Sequence, residues 1–179
     1  MSSPIHILKD VFGYESFRAD QEQVINSVLQ GNDNLVIMPT GGGKSLCFQI
    51  PGLVKEGITL VISPLISLMR DQVDALKANG IKAAYFNSSL NSAEETEVRS
   101  LAESGQLKFL YIAPERLIGL YQGWLSNLDI NLVAIDEAHC VSMWGHDFRP
   151  EYTQLKDIRS HWNSIPFIAL TATADKVTR

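Results

Sequence analysis

The run Leu35-Val-Ile-Met-Pro-Thr-Gly-Gly-Gly-Lys-Ser45 decides how this chain is read. Leu35–Met38 is short, apolar and β-rich, and the glycines at 41 to 43 end it abruptly. Glycine reaches positive φ and carries no Cβ, so such a loop brings its backbone close to a bulky anion. A helix beginning near Lys44 aims free N–H groups and the positive end of its dipole at the same point. Strand, glycine-rich turn and helix in that order make a cradle for a polyphosphate out of Thr40, Gly41, Gly42, Gly43, Lys44 and Ser45. In the pattern G-x-x-x-x-G-K-[ST] the lysine reaches the β- and γ-phosphates and the hydroxyl ligates Mg²⁺. Lys44 and Ser45 take those roles here. The bland alternative is a glycine-rich turn that only joins strand to helix.

Outward from this loop the chain alternates. β-Rich runs recur at Leu35–Met38, Thr59–Ser63, Ala83–Phe86, Phe109–Ala113, Leu132–Ile135 and Phe167–Leu170. Between them lie helical patterns. Asp20–Gln30 places Val24, Ile25, Val28 and Leu29 on one stripe and stops at Gly31. Leu65–Ala78 repeats the pattern before Asn79-Gly80, and Asn91–Ser104 is a polar helix read as a solvated surface face. Strands that are continuous apolar runs are covered on both faces. The expectation is an α/β domain of the RecA-like P-loop NTPase kind, a doubly wound, mainly parallel sheet with helices on both faces. No linker rich in Pro, Gly or Ser divides it, so residues 1–179 are read as one domain.

The chain has 179 residues, 45% hydrophobic and 20% charged, which suits a globular domain and excludes a disordered or fibrous chain. Fifteen Lys and Arg against 20 Asp and Glu give a net charge of −5, so no generic basic coat for nucleic acid exists. Cys47 and Cys140 stand far apart with no C-x-x-C, so no zinc in this chain and no disulfide framework are expected. No secretory signal opens the chain, no apolar run is long enough for a bilayer, and a soluble, cytoplasmic protein is expected.

A second chemical signal is Leu132-Val-Ala-Ile-Asp-Glu-Ala-His139, a buried strand ending in two carboxylates. Parallel sheets bind ligands at the carboxyl ends of their strands. Asp136 is placed to hold the Mg²⁺, with Ser45, and Glu137 to orient and deprotonate the attacking water. His139 either senses the γ-phosphate or caps a turn. No Asn-Lys-x-Asp guanine motif is present, so ATP is the expected nucleotide. Met38 stands where the phosphate-loop pattern has its first glycine. This departs from nucleotide kinases and small GTPases and agrees with the Pro-Thr-Gly-x-Gly-Lys form of helicase-type motors.

Taken together the residues resemble the RecQ family of superfamily 2 DNA helicases, from about Val11 to Ala174. Asp136-Glu-Ala-His139 alone would equally suit the DEAH-type RNA helicases. Phe12-Gly-Tyr-Glu-Ser-Phe-Arg-Ala-Asp-Gln21 looks like the family's motif 0. Met38–Ser45 is its motif I, Ser63–Gln72 its motif Ia, and Asp136–His139 its motif II. Ala113-Pro-Glu-Arg-Leu117 fits a motif Ib-like position. Cys140-Val-Ser-Met-Trp-Gly-His-Asp-Phe-Arg-Pro-Glu-Tyr152 is similar to the aromatic-rich loop, and Leu170-Thr-Ala-Thr-Ala174 has the motif III form. The resemblance implies that Tyr14 stacks on adenine, Gln21 reads its amide edge and Arg18 supports the phosphates or the loop. Ala19-Asp20 departs from the family's frequent Pro-Gly. Phe12 and Phe17 are read as core.

By the same resemblance Trp144, His146, Phe148 and Arg149 couple single-stranded or duplex DNA to hydrolysis, base stacking being worth roughly 1–3 kcal/mol per base. Ser63, Arg70 and Arg116 are expected on the opposite lip, and Thr171 and Thr173 are expected to link the γ-phosphate site to the DNA groove. The implied whole is a 3′-to-5′ helicase of DNA repair and recombination, nucleoid-associated in a bacterium. This chain would be lobe 1; the second RecA-like lobe and the zinc-binding and winged-helix parts are not in it. A P-loop nucleotide kinase and a non-catalytic nucleotide-gated binding module are the alternatives.

Overall fold

The computed structural model describes residues 3–18, 20–39, 43–137 and 157–171. Six strands form one sheet in the order β1-β6-β5-β2-β4-β3: β1 (Asn34–Ile37), β2 (Ile58–Ile62), β3 (Ala83–Phe86), β4 (Phe109–Ile112), β5 (Ile130–Ile135) and β6 (Phe167–Thr171). Every pairing is parallel, as the continuous apolar runs require. The helices between them are α1 (Pro4–Asp10), α2 (Gln21–Leu29), α3 (Leu46–Val54), α4 (Ile66–Ala78), α5 (Ser92–Glu103) and α6 (Pro114–Leu120), with a 3₁₀ turn at Trp124–Asn127 and helical backbone at 157–161.

All six sequence-predicted strands and all four predicted helices are present, with ends moved by a few residues. Gly31 (φ +91) and Gly80 (φ +80) follow α2 and α4 in the left-handed region. At each, the glycine N–H and the next N–H reach back to carbonyls of the last turn (Val28 and Ser27; Lys77 and Leu76), which closes the helix end. Asn91 and Glu94 cap α5 reciprocally through a capping box. The expectation of a solvated α5 holds for Glu94 and Glu97, which are exposed, but Arg99 lies over the Phe86 and Trp124 rings and Glu95 pairs with Arg116. Val98 and Ala102 are buried and anchor the helix on the sheet.

Side chains alternate across the sheet. Val61, Phe109, Tyr111, Leu132, Ala134 and Ile168 point to the layer that includes Phe48 of α3 and Met69 and Val73 of α4. Leu60, Ile62, Leu110, Ile112 and Val133 point to the opposite layer, with Val98 of α5, Leu117 of α6, Ile158 and Trp162. A smaller cluster of Ile7, Leu8, Ile25, Leu46 and Ile50 fixes α1 and α2 on α3, with Phe12 and Phe17 packed against it as expected. The seven-residue helices α1 and α6 were not read from the sequence. Each starts at a proline, Pro4 or Pro114, whose fixed φ suits a first helical position.

Polar clips set the ends of the strands. Asp33 takes Arg159 through Oδ2 (3.2 and 2.9 Å) and the Phe167 N–H through Oδ1 (2.9 Å), which ties the start of β1 to the start of β6. Asn131 accepts from Thr59 Oγ1 (2.8 Å) and donates to the Glu56 carbonyl (3.0 Å) beneath α3. There α3 lies so close to the sheet that a Cβ on Gly52 would fall 2.3 Å from Thr59 Oγ1 and 3.0 Å from the Phe109 ring.

Two outcomes follow from this packing. Gly52→Ala lowers stability by about 1–3 kcal/mol through overpacking, read as a fall in the urea midpoint. The second concerns Cys47, which is fully buried and whose thiol burial pushes from 9.0 up to about 12. The native state then holds the proton after the unfolded chain has lost it, so this contribution is complete below pH 9.0 and is lost as pH rises through the folded value. Between pH 8 and 10.5 the protein loses about 2 kcal/mol from this group, at 1.36 kcal/mol per pKa unit. In Cys47→Ala the urea midpoint falls less over the same interval.

Candidate active site

The phosphate loop leaves β1 and the acidic pair leaves β5, with β6 between them. The Met38 N–H donates to the Thr171 carbonyl of β6 (3.2 Å), so the first strand is held as far as the loop. Beyond β6, the Asp136 N–H donates to the Ile62 carbonyl of β2 (2.9 Å), which continues the ladder to the carboxylate. Both loops therefore sit at the carboxyl end of the sheet, and Lys44 reaches across. Its Nζ lies 3.1 Å from Glu137 Oε1 and 3.8 Å from Asp136 Oδ1. Two motifs far apart in sequence meet as one charge cluster.

Asp136 is 1% exposed. Its Oδ2 accepts from Gln72 Nε2 of α4 (3.1 Å) and its Oδ1 from the Glu137 N–H (3.0 Å). Burial pushes its carboxyl above the ordinary range, with the Glu137 charge adding to the rise; Lys44, Gln72 and the Glu137 N–H pull it back only partly. Glu137 adopts φ +54, a left-handed conformation that costs a residue with a Cβ about 1–3 kcal/mol. That turn carries its carboxylate back toward Lys44 instead of along the strand.

The loop's last glycine is enforced by its neighbour. A Cβ on Gly43, which has φ +78, would lie 2.4 Å from Gln21 Nε2. That amide donates to the Gly43 carbonyl (2.9 Å), while Gln21 Oε1 accepts from the Arg18 N–H (2.8 Å). Gln21 is 2% exposed, so the side chain expected to read a base also pins the segment before α2 to the phosphate loop. Tyr14, 52% exposed, lines a small pocket with Leu8, Ser16, Arg18, Gln21, Gly43 and Leu46. An exposed ring beside a buried amide, next to the phosphate loop, is an arrangement a purine would fit. Ser45 begins α3, yet its hydroxyl makes no capping bond, so it is available to a metal ion. Lys44, the uncapped Ser45 hydroxyl, the Gly43 cradle and the desolvated Asp136 carboxylate are an oxygen-and-ammonium set that fits a polyphosphate with its Mg²⁺.

Other expected residues are placed differently. Ser63, expected on a nucleic-acid lip, is 1% exposed at the end of β2, between β4 and β5, and its Oγ has no partner among the described residues. Arg70 is exposed on α4. Arg116 is partly covered, paired with Glu95 at 3.1 Å and lying over the Phe86 ring. Thr40, Gly41, Gly42, His139, Trp144, His146, Phe148, Arg149 and Thr173 lie outside the described residues. The sequence reading gave no role to Gln72, Tyr111 and Gln49, which stand behind Asp136. The available signal was a polar residue within an otherwise buried strand or helix, since such a group must find a partner.

Comparison with known proteins places these features. The DEAD/DEAH box helicase family model matches residues 18–179. The ATP-dependent DNA helicase RecQ of Pasteurella multocida is 57% identical over 98% of this chain and 28% of its own length. That of Bacillus subtilis is 52% identical over 94% of the chain and 29% of its own length. The chain thus spans under a third of these relatives. Among solved structures, a hypothetical ATP-dependent RNA helicase from Sulfolobus tokodaii superimposes with a TM-score of 0.72 at 24% identity, over 99% of this chain and 54% of that one. The DUF1998 helicase MrfA bound to DNA gives 0.76 at 21%, over 97% and 26%. Both show the same fold. Among the described residues no helix is long and apolar enough to cross a membrane.

The site's electrostatics give a stability test. A carboxyl raised by burial favours the folded state only while protonated; its contribution is present below 3.8 and lost as pH rises through the folded value. At neutral pH the Asp136 charge therefore opposes folding. Asp136→Asn, which still accepts from Gln72, raises stability by about 0.5–2 kcal/mol at pH 7, read from the thermal midpoint.

Proposed function

Since this chain belongs to the DEAD/DEAH box helicase family, we propose that it is the ATP-binding RecA-like lobe of a RecQ-like DNA helicase. The observation that carries the reading is the meeting of Lys44 with Asp136 and Glu137 across β6. In this reading residues 1–179 form lobe 1, with motif 0 at about 11–25, motifs I, Ia, II and III at 38–45, 63–72, 136–139 and 170–174, and the aromatic-rich loop at 140–152.

Each residue then has a task. Tyr14 and Gln21 hold adenine, and Arg18 supports the loop beside it. Lys44 and the start of α3 hold the β- and γ-phosphates. Ser45 and Asp136 hold Mg²⁺, which when bound neutralises charge on the phosphates. Glu137 orients the attacking water and takes its proton. Lys44 pairs with Glu137 in this structure, so a phosphate that draws Lys44 away also removes that ion pair from the base. Turnover begins only after the nucleotide is seated. Trp144, His146, Phe148 and Arg149 would sense the DNA strand, and Arg70, exposed on α4, would meet its backbone. An arginine from a second RecA-like lobe completes the phosphate site and is worth on the order of 10³–10⁵ in rate.

The test is a DNA-stimulated ATPase assay on the intact protein. Glu137→Gln lowers DNA-stimulated kcat by about 10²–10⁴-fold and leaves ATP affinity within about threefold of wild type. The 179-residue chain alone turns ATP over slowly, with or without DNA. Robust DNA-stimulated turnover by this chain alone contradicts the need for a second lobe. A phosphorylated small-molecule product would move the reading to a nucleotide kinase. ATP-dependent partner capture unaffected by Glu137→Gln would move it to a binding module.

A further inference from the structure

Behind Asp136 runs a line of hydrogen bonds contributed by three elements. Gln49 Nε2 of α3 donates to the Tyr111 hydroxyl oxygen of β4 (3.3 Å). The Tyr111 hydroxyl donates to Gln72 Oε1 of α4 (2.8 Å), and Gln72 Nε2 donates to Asp136 Oδ2 (3.1 Å). The line has a single direction. An ionised carboxylate only accepts, so Gln72 must turn its N–H toward Asp136 and its carbonyl toward Tyr111. Tyr111 must then donate to Gln72, which leaves its oxygen to accept from Gln49. Tyr111 is fully buried, and burial raises its hydroxyl further above its ordinary range, so it stays a donor.

The need to satisfy buried groups accounts for only part of this line. Gln49 Nε2 gives the buried Tyr111 oxygen a donor, and the Tyr111 O–H finds its acceptor in Gln72 Oε1. Gln72 is only half-buried on α4, where water would serve its amide equally well. It turns inward instead, onto the oxygen of Asp136 that the Glu137 N–H does not hold. Both carboxylate oxygens are thereby fixed in place, and each keeps acceptor capacity for a metal-bound water. Partners of this kind, behind a metal ligand, orient it and raise metal affinity.

We propose that Gln72, seated by Tyr111 and Gln49, is a positioning residue that sets the Asp136 carboxylate for the divalent cation of the nucleotide site. The proposal rests on the nucleotide-site reading above and adds α4 to the elements that govern it. The motif that leads from β2 into α4 thus reaches the metal carboxylate through Gln72.

The experiment is a Mg²⁺ titration of fluorescent ATP-analogue binding to the intact protein, with a parallel measurement in EDTA. In Gln72→Leu the Mg²⁺ concentration at half-effect rises about 10–100-fold, while affinity in EDTA stays within about twofold of wild type. Tyr111→Phe, which removes one oxygen and keeps the ring, shifts the midpoint in the same direction by a smaller factor. It carries the test where Gln72→Leu unfolds. The double variant shifts no further than Gln72→Leu alone, because both act through one line. An unchanged midpoint in both variants overturns the proposal. So does an equal loss of affinity with and without Mg²⁺, or full additivity of the two shifts. Wild-type protein that gains nothing from Mg²⁺ overturns the nucleotide-site reading as well, whereas a wild-type gain kept intact in Gln72→Leu removes this inference alone.

Discussion

Everything at the top of this sheet depends on one buried carboxylate. Asp136 continues β5 past its last ladder residue, loses nearly all of its water, and must be held by what the fold brings to it. Lys44 approaches from two strands away, Gln72 from α4, and the Glu137 N–H from the next residue. None of these suffices, since the carboxyl remains above its ordinary range. A buried charge left short of compensation is costly, and groups of this kind cluster at functional sites.

The scaffold explains how that arrangement is held. Parallel strands covered on both faces carry no polar surface of their own, so the chemistry is pushed to their ends. The Asp33 clip to Arg159 and Phe167 fixes β1 on β6, and with it the phosphate loop relative to β5. Gly52 lets α3 lie against the sheet, which sets where the N-terminus of that helix points. The left-handed turn at Glu137 is the one place among the described residues where a side chain other than glycine takes positive φ, and it falls in the acidic pair.

Much of this was legible in the residues. The six strands announced themselves because burial on both faces leaves continuous apolar runs. The stops at Gly31 and Gly80 announced themselves because only glycine fits the left-handed closure. Lys44, Asp136 and Glu137 stood out in the local pattern, and the fold brings the three together. Strand order was not legible, because nothing in Phe167–Leu170 says that β6 lies between β1 and β5. The burial of Ser63 was hidden for the same reason, since its exposure depends on which strands flank β2. Gln72 was quoted within a motif yet had no role, because its partner lies on another element and only the folded chain sets Tyr111 beside it. The double duty of Gln21, on Gly43 and on the Arg18 N–H, is likewise a product of tertiary approach.

The most direct test of the central claim is a crystal structure with Mn²⁺ and a non-hydrolysable ATP analogue, the metal located by its anomalous scattering. The account predicts a Mn²⁺ peak between the Ser45 hydroxyl and the Asp136 carboxylate, with Lys44 Nζ withdrawn from Glu137 onto phosphate oxygens. A metal peak elsewhere, or nucleotide bound while Lys44 keeps its 3.1 Å contact with Glu137, would contradict it.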